Sequence, residues 1–386
     1  MRLPRIASIE VPHRVLLLEP FPIPYFASLH RALAARDDIE IVVAFANMST
    51  TDASFRDVGF ARNLSWDVPL LEGYEWVDLS KLRLRAKARL ITNSDVVFLS
   101  TYRTPHALLA WLLAIASRRP VLFGSDAIDL LPQGNSVVRG IRLRRALARG
   151  TIRLADGVNA TSTRSVEYHR RFTRHSEKIA LVPYVADGDV FVEQSASDRA
   201  AAREAFGLSP SAFVVGFVGK LIPRKRAEDV IHAVTKVRGA TALIVGSGPS
   251  EPDLRALASR LGASVVFAGF KNQTELPQSY AAMDVAVLPS EQEPFGIVVH
   301  EAALCGVVPA CSTACGAYDD LVAPVASWLG FTPGDLQALV DLLRALHNDN
   351  VRFDLRERAR VVAAAWNVDA QAQGFVDACA RAIGRK

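Results

Sequence analysis

The sequence contains few cysteines: 4 of its 386 residues, at positions 305, 311, 315 and 379. Such a small number is typical of reduced thiols in a cytosolic protein and excludes a small scaffold held together by disulfides. Three residues separate Cys311 from Cys315, which is not a zinc-ligand spacing, and no histidine cluster lies near them. The sequence therefore predicts no metal at these thiols.

Long apolar segments are missing as well. The longest apolar run, 107–116, is much shorter than the roughly 20 residues of a membrane-spanning helix, so we interpret it as a buried helix. The first residues, 1–14, carry charges and lack the apolar centre of a signal peptide. We therefore expect a cytoplasmic protein.

Neither charge sign is in large excess. The chain has 45 Lys and Arg against 40 Asp and Glu, a net charge of +5 and a pI near 9.1, which favours anionic ligands or surfaces. Two basic stretches, 81–89 and 139–153, stand out in the first half. Each is either a solvated face or part of a surface that associates peripherally with an anionic membrane.

The remaining composition is that of a globular protein, with half of its residues apolar and 22% charged. Its length allows two domains. Apolar strands alternate with helical segments from Arg14 onward, and the same alternation restarts at Phe213. This pattern predicts two parallel sheets covered by helices, joined by a polar, alanine-rich linker over 186–201.

One stretch of the second half predicts a ligand site. An apolar strand over 285–288 is followed by a polar loop with Glu293, and then by a helix with Glu301 about one turn inside it. Pro294 and Gly296 suit a tight turn that opens this helix. The backbone N–H groups at its start can bind a phosphate or a sugar hydroxyl. The alternative is an ordinary α/β crossover with solvated glutamates.

The spacing favours the first interpretation. Seven residues separate Glu293 from Glu301, Phe295-Gly296 follows the first, and Ala302-Ala303-x-Cys305-Gly306-x-x-Pro309 follows the second. This resembles the Glu-x(7)-Glu signature of the retaining glycosyltransferases, family 4. The resemblance covers most of the chain; it is specific over 216–320 and looser before Asp156.

The resemblance implies the GT-B fold, an α/β architecture in which two doubly wound Rossmann-like domains face each other across a cleft. The implied divisions are 1–188 for an acceptor-side domain, 202–365 for a domain that binds the nucleotide sugar, and 366–386 for a closing helix. This last helix is expected to pack back on the first domain.

The resemblance also assigns roles on the donor side. Lys220 and Lys225 would hold the donor pyrophosphate, although the family commonly has arginine at the first position, and glycine where this chain has Arg226. Glu301 would bind the ribose hydroxyls, and Glu293 would orient the donor sugar. The other expected donor-binding positions are Gly219, Gly246, Phe270, Phe295, Gly296, Ile297 and Val298.

The acceptor side departs more from the family. Many members have a histidine after one first-domain strand that contacts the donor sugar. Asp126 is at roughly that place, with His106 as a rival, and either could instead cap a helix. The loop 20–26 has three prolines and no glycine where the family often has a glycine-rich loop. We expect Tyr25 on this loop to form an acceptor-side wall, or simply to pack in the core.

The implied reaction moves a hexose from a nucleoside-diphosphate sugar, such as a UDP-sugar or GDP-mannose, with retention of configuration. Its acceptor would be a hydroxyl of a glycan, glycolipid or small molecule in cell-envelope synthesis, and no nucleic-acid partner is expected. No Asp-x-Asp motif lies in a suitable loop, so we expect neither a metal nor another cofactor. The alternatives are a nucleotide-sugar 2-epimerase of the same fold and a non-catalytic scaffold.

Overall fold

The computed structural model describes residues 13–52, 55–101, 104–127, 149–150 and 152–384. Its first sheet has seven parallel strands in the order β5-β2-β1-β6-β7-β8-β9. In chain order they are β1 His13–Glu19, β2 Ile39–Phe45, β5 Trp76–Asp78, β6 Val96–Leu99, β7 Val121–Ser125, β8 Gly157–Ala160 and β9 Ile179–Leu181. The central strands are apolar along their length because helices cover both faces of the sheet.

Among the described residues, the helices beside this sheet include α1 Pro24–Ala34, α2 Leu84–Thr92, α3 Pro105–Ala116 and α4 Thr163–Arg170. Between β2 and β5 the chain leaves the sheet and forms a small antiparallel hairpin, β3 Arg56–Asp57 and β4 Arg62–Asn63. The segment 48–73 has no clear periodicity in sequence, and this hairpin is its main ordered feature. It reaches the second domain, as described below.

The second sheet has six parallel strands in the order β12-β11-β10-β13-β14-β15. They are β10 Phe213–Val218, β11 Ala240–Val245, β12 Val265–Gly269, β13 Val285–Leu288, β14 Val308–Ser312 and β15 Gly330–Phe331. In both sheets the strand order reverses beside the first strand, as in a doubly wound fold. Ligands bind at such switch points, beyond the carboxyl ends of the strands.

Eight helices complete the described chain. They are α5 Ala196–Ala205, α6 Ala227–Val234, α7 Glu251–Leu261, α8 Leu276–Ala281, α9 Ile297–Leu304, α10 Leu336–Leu346, α11 Asp349–Ala364 and α12 Val368–Ile383. Phe375, Ala378 and Ala382 of α12 are buried in the same core as Val15 and Leu17 of β1. The prediction that the last helix packs back on the first domain is confirmed.

The predicted linker is shorter than the sequence suggested. A capping box between Ser195 and Asp198 starts α5, so residues 196–201 are helical. Arg199 and Arg203 of this helix both donate to the buried Asp284 carboxylate, at 2.7 and 2.8 Å. These charge-assisted bonds anchor α5 to the second domain. A polar, alanine-rich composition is shared by linkers and by surface helices, which explains the error.

The apolar run 107–116 forms α3, but its interpretation as a buried helix was wrong for one face. Leu108, Leu112 and Ile115 are each more than half exposed. Within the described part of the chain, no helix has both the length and the apolar character needed to span a membrane. The second basic stretch, 139–153, lies almost entirely outside the described residues.

Candidate active site

The loops after β10 and β13 meet at the switch point of the second sheet, because these two strands are direct neighbours. Gly219 directly follows β10 with a φ of +151°, and Gly246 directly follows β11 with a φ of +136°. A Cβ at Gly246 would lie 1.9 Å from the carbonyl oxygen of Gly219. Glycine is therefore required where the loops after β10 and β11 touch, and both predicted glycines follow neighbouring strands of the second sheet.

Lys225 and Glu293 are in direct contact at this switch point. The Lys225 ammonium donates to Glu293 Oε2, and Arg224 Nη1 lies 3.8 Å from the same oxygen. Both side chains of the contacting pair are mostly buried, at 12% exposure each. The lysine expected at the phosphate and the glutamate expected at the sugar are thus paired with each other.

The loop carrying Glu293 is held from behind by residues 314–317. The N–H of Gly316 donates to the Glu293 carbonyl at 2.9 Å, and Cys315 Sγ donates to the Phe295 carbonyl at 2.8 Å. Gly296 has a φ of +96° and precedes α9. A Cβ there would lie 2.6 Å from Cys315 Sγ. The loop is therefore rigid, and the N–H groups of Ile297 and Val298 open the helix beside it.

Glu301 of α9 is completely buried. Its Oε2 accepts from the Tyr280 hydroxyl at 2.7 Å, whereas Oε1 has no partner in the described part of the protein. Burial raises the pKa of Glu301 to about 7, against the opposing effect of the Tyr280 bond. Tyr25 of α1 lies nearby, and burial followed by the Glu301 charge raises its pKa well above the usual range. The first domain thus covers this glutamate.

Lys220 is also paired, and its partner comes from the first domain. Its ammonium donates to both oxygens of Asp57 on β3, at 2.9 and 3.0 Å. Although burial opposes ionisation, the Lys220 bond and the N–H groups of Phe60 and Gly59 hold the pKa of Asp57 below its usual range. A Cβ at Gly59 would lie 2.6 Å from Lys220 Cδ, so this approach also depends on a glycine.

The same hairpin covers the position expected for the nucleotide base. The Phe60 ring meets the Phe270 ring edge-to-face at 5.0 Å, and the Arg62 guanidinium lies 4.5 Å from the Phe270 ring centre. Ser247 Oγ donates to the Phe60 carbonyl at 2.9 Å. Sequence reasoning missed Asp57, Phe60 and Arg62. The glycine two residues after Asp57 indicates a turn there, but nothing local indicates where the turn docks.

The two rival acceptor-side candidates lie in different places. Asp126, directly after β7, borders a cavity at the carboxyl end of the first sheet together with Glu19 and Tyr184. His106 lies on the other face of that sheet, 3.2 Å from Lys87 Nζ. Burial and the Lys87 charge lower the pKa of His106. The structure therefore brings Asp126 towards the cleft and does not bring His106 together with the other candidates.

Direct bonds also connect the two domains around the cleft. The N–H of Thr163 donates to Asp320 at 2.9 Å, and Arg164 forms an ion pair with Asp319. His300, next to Glu301, accepts from the N–H of Ala186 at 2.9 Å, and its other ring nitrogen lies 3.0 Å from the Ala363 carbonyl oxygen. Burial lowers the pKa of His300 to about 4, so it is neutral and positions the chain between the domains.

Comparison with known protein families accounts for this arrangement. Residues 187–365, which include Lys220, Lys225, Glu293 and Glu301, match the family model of the glycosyl transferases group 1. This match covers the second domain and less than half of the whole chain.

Curated relatives of the glycosyl transferases group 1 domain match part of this chain. The D-inositol 3-phosphate glycosyltransferase of Mycobacterium sp. strain KMS is 38% identical over 146 residues, 36% of this chain and 32% of that protein. The D-inositol 3-phosphate glycosyltransferase 2 of Catenulispora acidiphila is 36% identical over 205 residues, 48% of this chain and 47% of that protein. The chain thus matches between about a third and a half of the length of these relatives.

Solved structures extend the likeness to the whole fold. Anabaena HepE in complex with UDP-glucose superposes with a TM-score of 0.73 at 23% identity, covering 94% of this chain and 98% of HepE. WaaG, a glycosyltransferase involved in lipopolysaccharide biosynthesis, superposes with a TM-score of 0.68 at 18% identity, with the same coverage of both chains. At such identities the likeness concerns the fold, and the predicted GT-B architecture is confirmed.

Proposed function

We propose that this protein transfers a hexose from a nucleoside-diphosphate sugar to an acceptor hydroxyl with retention of configuration. The observation that carries the proposal is the contact of Lys225 with Glu293 at the switch point, beside the start of α9. A phosphate-binding cation and a sugar-binding carboxylate are there within reach of one bound donor. The glycosyl transferases group 1 match over the same residues supports it.

In this proposal the donor exchanges the partners of the two lysines. Its diphosphate takes Lys220 from Asp57 and Lys225 from Glu293, and the α9 N–H groups add positive potential. The released Glu293 then faces the donor sugar and stabilises positive charge near its anomeric carbon. Glu301 accepts from the ribose hydroxyls through its unpaired oxygen, after Tyr25 moves aside.

The reaction breaks the bond between the anomeric carbon and the diphosphate oxygen, and the diphosphate leaves with that electron pair. The acceptor oxygen forms the new bond on the same face of the sugar and loses its proton to the leaving phosphate. Asp126, on the opposite side of the cleft, faces the transferred sugar. The lysines and helix start supply the electrostatic stabilisation for which other transferases use a metal, so we propose a metal-independent reaction.

The names of the relatives indicate which substrates to test first. UDP-glucose is present in one HepE structure, and the curated relatives are named for an inositol phosphate acceptor. UDP-sugars are therefore the first donors to test, followed by GDP-mannose. Small polyols, glycans and lipid-linked glycans are the candidate acceptors.

We further propose a cytoplasmic location with peripheral association to an anionic membrane. The observation that supports it is the exposed stripe of α3, Leu108, Leu112 and Ile115, spaced for one helix face. The neighbouring α2 carries cations, and its Leu84 is 62% exposed. Sedimentation with anionic vesicles at low salt tests this. Binding that ignores lipid charge, or none at all, would contradict it.

The central test combines donor binding with product analysis. Nucleoside diphosphates and their sugars are screened by thermal shift, and the donor that binds is incubated with candidate acceptors. NMR of the product reports the anomeric configuration, and an arm with excess EDTA tests metal independence. Epimer formation from the donor alone would favour the 2-epimerase. An inverted product, or donor binding without any turnover, would contradict the proposed reaction.

A further inference from the structure

A cavity of about 160 Å³ lies at the carboxyl ends of β1, β7 and β8, between the first sheet and helices α1 and α12. Four aromatic rings form much of its wall: Phe26, Phe98, Tyr184 and Phe375. Its volume is below the roughly 300 Å³ of sites for drug-sized ligands, so it suits a single ring and not a chain.

Buried polar groups without partners face this cavity. Glu19, Asn159, Thr161 and Gln371 line it and are each at most 4% exposed. Glu19 Oε2, both polar atoms of the Asn159 amide, Thr161 Oγ1 and Gln371 Oε1 have no hydrogen-bond partner among the described residues. Native proteins rarely leave buried polar atoms unsatisfied. So many around one cavity indicate that something polar fills it.

The kinds of atoms determine which ligand fits. Glu19, Asn159 and Gln371 each present an oxygen that accepts hydrogen bonds, and Thr161 can donate or accept. A ligand that satisfies them must bring several donors, as a polyhydroxylated ring does, and its apolar faces suit the aromatic walls. A phosphate or carboxylate brings only acceptors and would meet the Glu19 carboxylate. No lysine or arginine is among the described residues that line the cavity.

The position of the cavity relates it to the donor site. Tyr184 lines the cavity, and its ring centre lies 5.8 Å from that of Phe295, two residues after Glu293. Asp126 borders the same cavity. One wall of the cavity, Tyr184, therefore packs against the loop that carries Glu293.

We propose that this cavity binds an uncharged polyhydroxylated ring, a sugar or cyclitol without phosphate, through Glu19, Asn159, Thr161 and Gln371. That this ring is the acceptor rests on the proposed function; that it binds does not. This cavity would thus select a ring without phosphate. The names of the curated relatives, in contrast, specify a phosphorylated cyclitol. Gln371 adds a contribution from the closing helix α12, so the site is complete only when that helix is docked.

The experiment measures binding of myo-inositol, glucose, galactose and N-acetylglucosamine, each beside a phosphorylated counterpart, by ligand-observed NMR and calorimetry. Saturating UDP is present in one series and absent in the other. The variants are Asn159→Leu and Gln371→Leu, which replace unpaired polar atoms with apolar groups. Gln373→Leu is the matched control on the same helix, because the Gln373 side chain is exposed and bonded to Arg36 and Asp377.

We expect at least one neutral ring to bind, each cavity variant to weaken it about 3- to 10-fold, and Gln373→Leu to leave it unchanged. Thermal unfolding shows whether each variant is folded. Tighter binding of a phosphorylated ring overturns the proposal. So does a cavity that holds only water, seen as no ring binding by a folded protein that still binds UDP. Absence of UDP binding with a neutral ring still bound would contradict the proposed function and leave the cavity site intact.

Discussion

The two sides of the cleft differ in how the side chains proposed to bind ligands are paired. On the second-domain side, Lys225 is paired with Glu293, and Lys220 is paired with Asp57. On the first-domain side, Asn159 and Gln371 are buried with polar atoms that no described residue satisfies.

The physical reason is the cost of burial. An unpaired charge is far more expensive to bury than a neutral amide, which favours the direct pairing of the mostly buried Lys225 and Glu293. In the proposed function, the donor exchanges ion-pair partners, whereas the proposed neutral ring only fills a cavity. Five measurements test this difference between the two sides.

The largest effect is expected for Lys225→Ala. It removes the charge that would stabilise the leaving diphosphate, so kcat/KM should fall about 100- to 1000-fold, with kcat and KM both affected. Lys225→Arg keeps the charge and should retain most of the activity. Steady-state kinetics with the donor measures these effects. Wild-type values for the alanine variant would contradict the assignment of Lys225 to the donor site.

Glu301 and Glu293 should affect different steps when each is replaced individually. Glu301→Ala should weaken binding of the free nucleoside diphosphate by roughly 1.5–3 kcal/mol, because it removes a charge-assisted contact to the ribose. Glu293→Ala should leave that affinity nearly unchanged and lower kcat, since its contact counts mostly in the transition state. Calorimetry beside turnover compares them. The reverse pattern would exchange the two roles.

The pH dependence of nucleotide binding should follow Glu301. Its carboxylate binds ribose when ionised, and burial raises its pKa to about 7, so affinity should fall about tenfold per pH unit below that value. In the absence of nucleotide, the free energy of unfolding should change with pH in the opposite direction. The folded state holds this proton more tightly than the unfolded state, so the free energy of unfolding decreases as pH rises from 4.5 to about 7.

Two variants isolate that titration. Glu301→Gln cannot ionise and should lose both pH dependences. Tyr280→Phe removes the bond that favours the ionised form, so the midpoint of the binding curve should move to higher pH. Calorimetric titrations between pH 5 and 9 measure the nucleotide affinity of both variants. A wild-type curve without a midpoint near neutrality would mean that Glu301 is not the titrating ligand group.

Asp57→Asn should strengthen nucleoside-diphosphate binding about two- to fivefold. It removes a partner that the phosphates must displace from Lys220, and partly exposed ion pairs are worth about 0.5–1 kcal/mol. Asp67→Asn is the matched control, because Asp67 lies in the same segment between β2 and β5 but accepts a hydrogen bond from Thr274. Weaker binding in the Asp57 variant alone would show that the hairpin helps to hold the nucleotide.

The smallest effect is expected for Thr161→Val, which tests whether the buried polar groups of the first domain lack partners. Thr161→Val removes a hydroxyl without a described partner, so the free energy of unfolding should change by less than about 0.5 kcal/mol. Thr50→Val breaks a 2.8 Å bond to the Pro22 carbonyl and should cost about 1 kcal/mol. Both threonines are buried in the first domain. Equal losses in denaturant unfolding would mean that Thr161 has a partner in the free protein.

The repeating strands and helices, the second-domain site loop and the closing helix could all be predicted from the sequence. Apolar runs such as 285–288 indicate buried strands, and the spacing of Glu293 and Glu301 indicates a loop followed by a helix. These features depend on neighbours within a few residues, and local chemistry is visible in sequence. The same local logic misjudged α3 and the linker, since exposure and domain membership depend on distant contacts.

Which groups come into contact could be seen only in the folded structure. Asp57 and Lys220 are 163 residues apart in the chain, and no periodicity relates the hairpin to the loop that it covers. Gln371 reaches the cavity because α12 returns to the first domain, where the β8 strand places Asn159. His106 and Asp126 follow adjacent strands, yet they lie on different faces of the sheet. Pairing across domains is decided by how whole surfaces pack, because each contact forms only where the two folded sheets face each other.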